Sequence, residues 1–195
     1  MAKFENFSFQ NFISNMKHGS RPNQFVCNIE LPSIVESRVS TSGEFDEKFR
    51  FQVEATAQPG KSISQIPLGW RGLIYKMIGD AEVDDWNVTV RNDSDYIVRD
   101  TIEAWHELLS GNVTGEQLES ERPEELMSTG YVYQLDKNSN ILKEYEMIGI
   151  WPTTVGEMQN SYEDSNTIQT FDVTFAVQWV ETNVTLNKTG GEDFS

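Results

Sequence analysis

The stretch SNTIQTFDVTFAVQWV, residues 165–180, alternates along its length: Phe171, Val173, Phe175, Val177 and Trp179 point one way, and Thr170, Asp172, Thr174 and Gln178 the other. A period of two predicts one strand with an apolar and a polar face. From Ile168 to Trp179 it would run about 40 Å, roughly twice the usual strand length. A strand of that length in a chain of 195 residues sets the frame that the other segments must fit.

Other segments share the period. Phe25, Cys27 and Ile29 alternate with polar neighbours, as do Phe49, Phe51, Val53 and Ala55, so both runs are expected to be half-buried strands. Between them residues 36–47, polar and carrying Gly43, are expected to form a solvated hairpin loop. Residues 68–78 and 83–91 are expected to pair as a hairpin turning near Gly79 and Asp80, and Tyr131–Leu135 pairs with Ile141–Met147 across the turn DKNSN. One helix stands out: Ile97, Val98, Thr101, Ile102, Trp105, Leu108 and Leu109 make one stripe, with Asp93–Asp95 as capping candidates and Gly111 as the stop. Residues 112–130 are acidic and weakly periodic, which suits a long loop. The outcome is a mainly β chain, an antiparallel β-sandwich or barrel-like fold with one flanking α-helix.

The expected organisation is an N-terminal arm over 1–20, one domain over 21–181 and a flexible polar tail over 182–195. The arm holds Phe4, Phe7, Phe12, Ile13 and Met16 at helical spacings, suited to packing on its own domain or on a neighbouring subunit. A hydrophobic fraction of 37% with five Trp and eleven Phe can fill one core. A single cysteine, Cys27, excludes an internal disulfide framework. No apolar run approaches the ~20 residues of a membrane span, and MAKFENFSFQNF does not form a signal-peptide core, so a soluble, untargeted protein is expected.

Fifteen Lys and Arg against 31 Asp and Glu leave a formal charge of −16. That opposes any grip on nucleic acid through its phosphates, yet suits a wall past which DNA slides without sticking. Catalytic patterns are absent from the residues. The two histidines, His18 and His106, lack a partnered Ser or Cys nucleophile pattern, and no Cys/His cluster offers a zinc site. Pairs of acids such as Asp84, Asp85, Glu146 and Asp172 arise by chance among 31 acids. Gly60-Lys61-Ser62 lacks the earlier glycine of a phosphate loop, where Ala55 stands instead. No catalytic, cofactor or metal site is expected.

Several blocks resemble the tail tube proteins of contractile-tailed bacteriophages of the T-even kind. RPNQF at 21–25 is similar to that family's Arg-Pro-Asn opening, FQVEATAQPGKSISQIPLGWRG at 51–72 to its strand, Pro-Gly loop and Ile-Pro segment, and GDAEVDDWNVTVRND at 79–93 to its Asp-Asp-Trp strand. The closing block, GIWPTTVGEMQNSYEDSNTIQTFDVTFAVQWVE at 149–181, resembles its Trp-Pro turn and terminal Ile-Gln-Thr-Phe strand. The motif positions carried over are Arg21, Pro22, Asn23, Pro59, Gly60, Pro67, Asp85, Trp86, Trp151, Pro152, Gly156, Gln169, Thr170 and Phe171, as determinants of fold and assembly.

The resemblance implies a β-sandwich-like structural subunit with no active site and no cofactor. Its hexameric rings would stack head to tail into a hollow tube inside a tail sheath protein, between a baseplate tube initiator and a tail terminator. DNA would pass through the lumen without specific binding, in a virion assembled in the host cytoplasm. Residues 1–20 (with Phe4, Phe7 and Phe12), 36–47 and Gln58–Pro67 are the candidate ring-to-ring contacts. A baseplate initiator or the tube of a phage-like injection or secretion system shares these features. A more remote reading is an acidic carbohydrate-binding or hydrolytic β-sandwich.

Overall fold

A computed structural model of the chain describes residues 8–16, 19–39, 42–110, 123–162 and 167–182. The readings made of Phe4 and Phe7, of Gly111, of residues 112–122 and of the tail from 183 onward fall outside these. Six strands form one antiparallel sheet: β1 (Phe25–Ile29), β2 (Val53–Ala57), β5 (Trp86–Arg91), β6 (Ser128–Leu135), β7 (Ile141–Val155) and β8 (Thr170–Thr182), in the order β1-β6-β7-β8-β5-β2. A separate two-stranded ribbon, β3 (Lys61–Trp70) with β4 (Leu73–Val83), leaves the sheet between β2 and β5. Helices α2 (Ser33–Arg38), α3 (Ser42–Gln52) and α4 (Ile97–Ser110) close the apolar face, and α1 (Phe9–Met16) precedes them.

The apolar row of β8 follows the alternation through Phe171, Val173 and Phe175, each 2% exposed or less. Its phase then changes. Val180 is buried, while Trp179, expected in the core row, is 53% exposed. The facing strand changes phase at the same level, from Ile150 to Met147, both buried. Between them Gly149, at φ 68°, lies against Gln178. Only glycine adopts that backbone at little cost, and a Cβ there would lie 3.1 Å from the Gln178 side chain. At this corner the two long strands turn from one half of the sheet to the other. β5 pairs with Thr170–Phe175 of β8, and β6 with Ile141–Ile150 of β7. Their great length therefore serves two layers with one continuous ladder. Pro152 sits beyond the end of β6 on a stretch of β7 with one free edge, where a missing N–H is tolerated, and the β7–β8 register shifts between Pro152 and Thr154.

Several expectations are corrected here. Residues 36–47 do not form a solvated hairpin loop: they contribute to α2 and α3, which bury Val35, Phe45 and Phe49 completely. The run from Phe49 is accordingly helical to Gln52, so Phe49 enters the core while Phe51 is 76% exposed; only Val53–Ala57 is strand. Phe45 and Phe49, one helical turn apart, stack at 5.4 Å. Another correction concerns the hairpin. Gly79 and Asp80 lie inside β4, and the turn is at Arg71 and Gly72, both at positive φ, directly joining Trp70 to Leu73. Positive φ at both central residues is the two-residue turn that matches strand twist. Within 112–130, the segment from Pro123 is not loop throughout: a 3₁₀ turn leads into β6.

The expected helix is α4, with Ile97, Val98, Thr101, Ile102 and Trp105 buried. Trp105 donates its indole N–H to the Leu126 carbonyl at 2.9 Å and meets Phe175, which in turn packs on Trp86 at 5.3 Å. Trp86 donates to the Thr56 hydroxyl at 2.7 Å. Each indole buries on the order of 200 Å², about 5 kcal/mol of transfer free energy as an upper estimate. Gly130 makes room for this centre: a Cβ there would stand 2.8 Å from Trp86 and 2.9 Å from Ile150. Cys27 is fully buried, and burial pushes its thiol up to about 12. Replacing Gly130 with Ala is expected to lower unfolding free energy by about 1–3 kcal/mol through overpacking. Chemical denaturation measures it, and a wild-type midpoint would show that the centre is slack.

Candidate assembly surface

The ribbon β3–β4 begins and ends at the motif residues. Pro59 is buried where the chain leaves β2, the Gly60 carbonyl accepts the Asp84 N–H at 3.0 Å, and exposed Asp85 precedes buried Trp86. Beyond this base the register pairs Ile66 with Met77, Leu68 with Tyr75 and Trp70 with Leu73. Side chains opposite one another share a face, so these six form one uncharged apolar face. It is uncovered: Trp70 is 69% exposed, Leu73 75% and Tyr75 68%. The reverse face mixes Pro67, Gly69, Ile74 and Ile78 with Gln65 and Lys76. At the tip the Arg71 guanidinium lies 5.3 Å from the Trp70 ring. At the base Lys61 donates to the Val180 carbonyl and sits over Trp179. A lone two-stranded ribbon is marginal in water, and an apolar face this size marks a binding surface.

The remaining motif positions organise the body. Arg21, Pro22 and Asn23 form an exposed turn before β1, held by the Gln134 amide donating to the Arg21 carbonyl at 2.7 Å. Gln169 is a hub: its backbone carbonyl accepts the Asn92 N–H at 2.9 Å, and its side-chain oxygen accepts from Asn92 and Tyr96. Its amide donates to Asn160 at 2.8 Å. Gly156 donates its N–H to the Asp172 carbonyl, and a Cβ there would stand 2.7 Å from that oxygen. Arg99 donates to the Gly156 carbonyl and lies over buried Phe171 at 4.9 Å. Trp151 is half-buried, while exposed Thr170 pairs with Arg91. The structure thus gathers Gly156, Gln169 and Phe171 at one corner, and places Gly60, Pro67 and Asp85 on the ribbon or its base. Phe12 lies on α1, 58% exposed. The arm was singled out from its aromatics, but the ribbon's face was not, because the signal for an uncovered apolar pair is that of a buried one.

The polar row of β8 is knitted to β5. Thr89 donates to Asp172 at 2.6 Å and Thr174 to Asn87 at 2.8 Å. On the other side of the sheet Lys48 of α3 bridges Asp93 at 2.9 Å and Asp95 at 2.8 Å, and Gln52 also donates to Asp93. Asp93 accepts the N–H groups of Asp95 and Tyr96, shaping the turn into α4. The Lys48 ammonium holds the Asp93 carboxyl below its ordinary value, outweighing partial desolvation, and these N–H groups assist. Among the described residues, no cluster of His, Cys, Asp and Glu could hold a metal, and no helix is long and apolar enough to cross a membrane.

A curled β-sheet closed by helices, with an apolar ribbon held out from it, is the architecture of a protein that presents a surface to another chain. The phage tail tube protein family matches residues 20–181, and the chain belongs to it. It is 34% identical to the tail tube protein gp19 of Enterobacteria phage T4 over 151 residues, 77% of this chain and 90% of that one, and equally to gp19 of Enterobacteria phage T6. This is a family of structural tail components, not of enzymes. The fold is shared with a chain in the six-fold symmetrised structure of the anti-feeding prophage baseplate: TM-score 0.59, 10% identity, 86% of this chain and 97% of that one. A chain in the sheath-tube complex of an extracellular contractile injection system gives 0.55 at 11% identity, over 87% of this chain and 95% of that one.

The Asp93 bonds carry a sign in pH. A carboxyl whose folded pKa is depressed stabilises the fold above its unfolded value, and that contribution is lost as pH falls through the folded one. Asp93→Asn is expected to lower the melting midpoint at pH 7, and the gap to wild type should narrow as pH falls below the ordinary carboxyl range and through the depressed Asp93 value. A gap that is constant between pH 7 and pH 2.5 would show that the carboxylate's charge is not what ties α3 to α4.

Proposed function

We propose that six copies close into a ring and that the rings stack head to tail into the inner tube of a contractile tail. The observation that carries this is the apolar ribbon face. Copies of a protomer of formal charge −16 repel one another overall, and this face offers uncharged contact. Stacking needs a heterologous contact, one surface against a different one, which propagates without closing. Motif residues Gly60, Pro67 and Asp85 set the ribbon's base and arm, and the arm with Phe4, Phe7 and Phe12 supplies a second contact between rings.

The tail sheath protein surrounds this tube, with a baseplate tube initiator at one end and a tail terminator at the other. The shared fold with chains in sheath-tube, baseplate, cap and terminator structures supports these partners. Six copies carry 6 × −16 = −96 formal charges, so a lumen bearing part of that field repels DNA and favours slippage. The row of Thr170, Asp172 and Thr174 is polar, and the cation beside it, Arg91 opposite Thr170, is paired with Glu54 at 3.1 Å. The tube is a virion component assembled in the host cytoplasm. The shared fold with injection-system chains favours, as second reading, a tube of such a system; particles that carry this chain and enclose no genome would select it.

Leu68→Ser/Tyr75→Ser in the ribbon should leave the monomer's unfolding free energy within about 0.5 kcal/mol of wild type, as for other surface changes. Sedimentation should then find small species at concentrations where wild type forms tubes. Phe7→Ser/Phe12→Ser should act likewise through the arm. Full-length tubes from the ribbon variant would overturn the assembly role of that face, and tubes from the arm variant that of the arm.

A further inference from the structure

The chain contains a second uncovered apolar surface whose dimensions suit the first. On α1, Phe9, Phe12, Ile13 and Met16 stand at i, i+3, i+4 and i+7, one stripe of the helix. They are 75%, 58%, 52% and 56% exposed, and Phe9 stacks with Phe12 at 6.5 Å. The helix, FQNFISNM, carries no charge on any face. From Phe9 to Met16 the stripe spans about 10 Å at 1.5 Å per residue. On the ribbon, the uncharged face from Ile66 to Trp70 spans about 13 Å at 3.3 Å per residue. Neither surface covers the other within the protomer, since both are exposed there.

Resting on the tube reading above, we infer that α1 of one copy packs its stripe across the ribbon face of another copy, over Leu68 and Tyr75. Each surface supplies what the other lacks. A two-stranded ribbon gains independent stability when a helix covers its apolar face, and an amphipathic helix of eight residues holds its shape only when its stripe is buried. In a chain of charge −16, both are places where two copies meet without opposing like charges. The pairing joins unlike surfaces, so a growing stack keeps free helices at one end and free ribbons at the other, and growth is open-ended.

The test uses the full chain with Met16→Cys and Met77→Cys, one position on each surface, bridged by a flexible bis-maleimide. Cys27 gives no background, being buried with its thiol pushed up to about 12. Bridging assembled material should yield a ladder of dimer, trimer and higher chains on denaturing gels, and each single variant at most a dimer. Tubes by electron microscopy with bridged monomer only, or with no bridging, would overturn the helix-on-ribbon pairing and leave the tube reading standing. Neither tubes nor ladder at any concentration would overturn both. An independent arm mixes Phe9→Ser/Phe12→Ser with Leu68→Ser/Tyr75→Ser. Each alone should fail to stack, and the mixture should form pairs of rings that grow no further, because one partner brings the helices and the other the ribbons. A mixture no larger than its components would contradict the pairing.

Discussion

Along β7 and β8 the backbone keeps one hydrogen-bonded ladder while its apolar row changes faces, and Gly149 against Gln178 is where it does so. The rest of the protomer depends on this corner. Above it, Phe171, Val173 and Phe175 meet β5 and the indoles of Trp86 and Trp105; below it, Met147 and Val180 meet the β6 side of the sheet. A single pair of strands thus holds both halves of a curled sheet around α3 and α4. Each half alone would have a shallower core and two more open edges.

A body built this way encloses a core of its own, which makes the uncovered ribbon a different kind of surface. The same residue types occur in both places, but Val88 and Phe175 are covered by the chain itself while Leu68 and Tyr75 are not. Hydrophobic stabilisation scales with area removed from water. The ribbon can collect it only from outside the protomer. Acidic charge over the rest of the chain restricts where copies approach, so repulsion and uncovered apolar surface together specify how copies join.

Much of this architecture was legible in the sequence because its periods are clean. The 3.6 period of α4 and the alternation of β1, of β7 to Met147 and of β8 to Phe175 each name a face, whereas β6 turns Gly130 and Val132, not Tyr131 and Tyr133, to the core. Reading failed where two periods overlap or a signal is short. Phe45 and Phe49 obey a helix, yet Phe49, Phe51 and Val53 also obey a strand, and only the buried pocket for Phe45 decides between them. The Arg71-Gly72 turn occupies two residues within a run of apolar ones, so it reads as a continuous segment. Trp179 follows the alternation but lies beyond the corner, where a single glycine has changed the phase. The resemblance in Gly156, Gln169 and Phe171 pointed to positions that the structure brings together. It did not point to the ribbon face, whose exposure is a tertiary fact.

The central claim is that this protomer is complete in its core and incomplete at its surface until copies join. Negative-stain electron microscopy of the purified chain over a concentration series tests it most directly. The account predicts compact particles at low concentration giving way to six-fold rings and hollow tubes as concentration rises. Compact monomers at every concentration, with the chain folded, would contradict it.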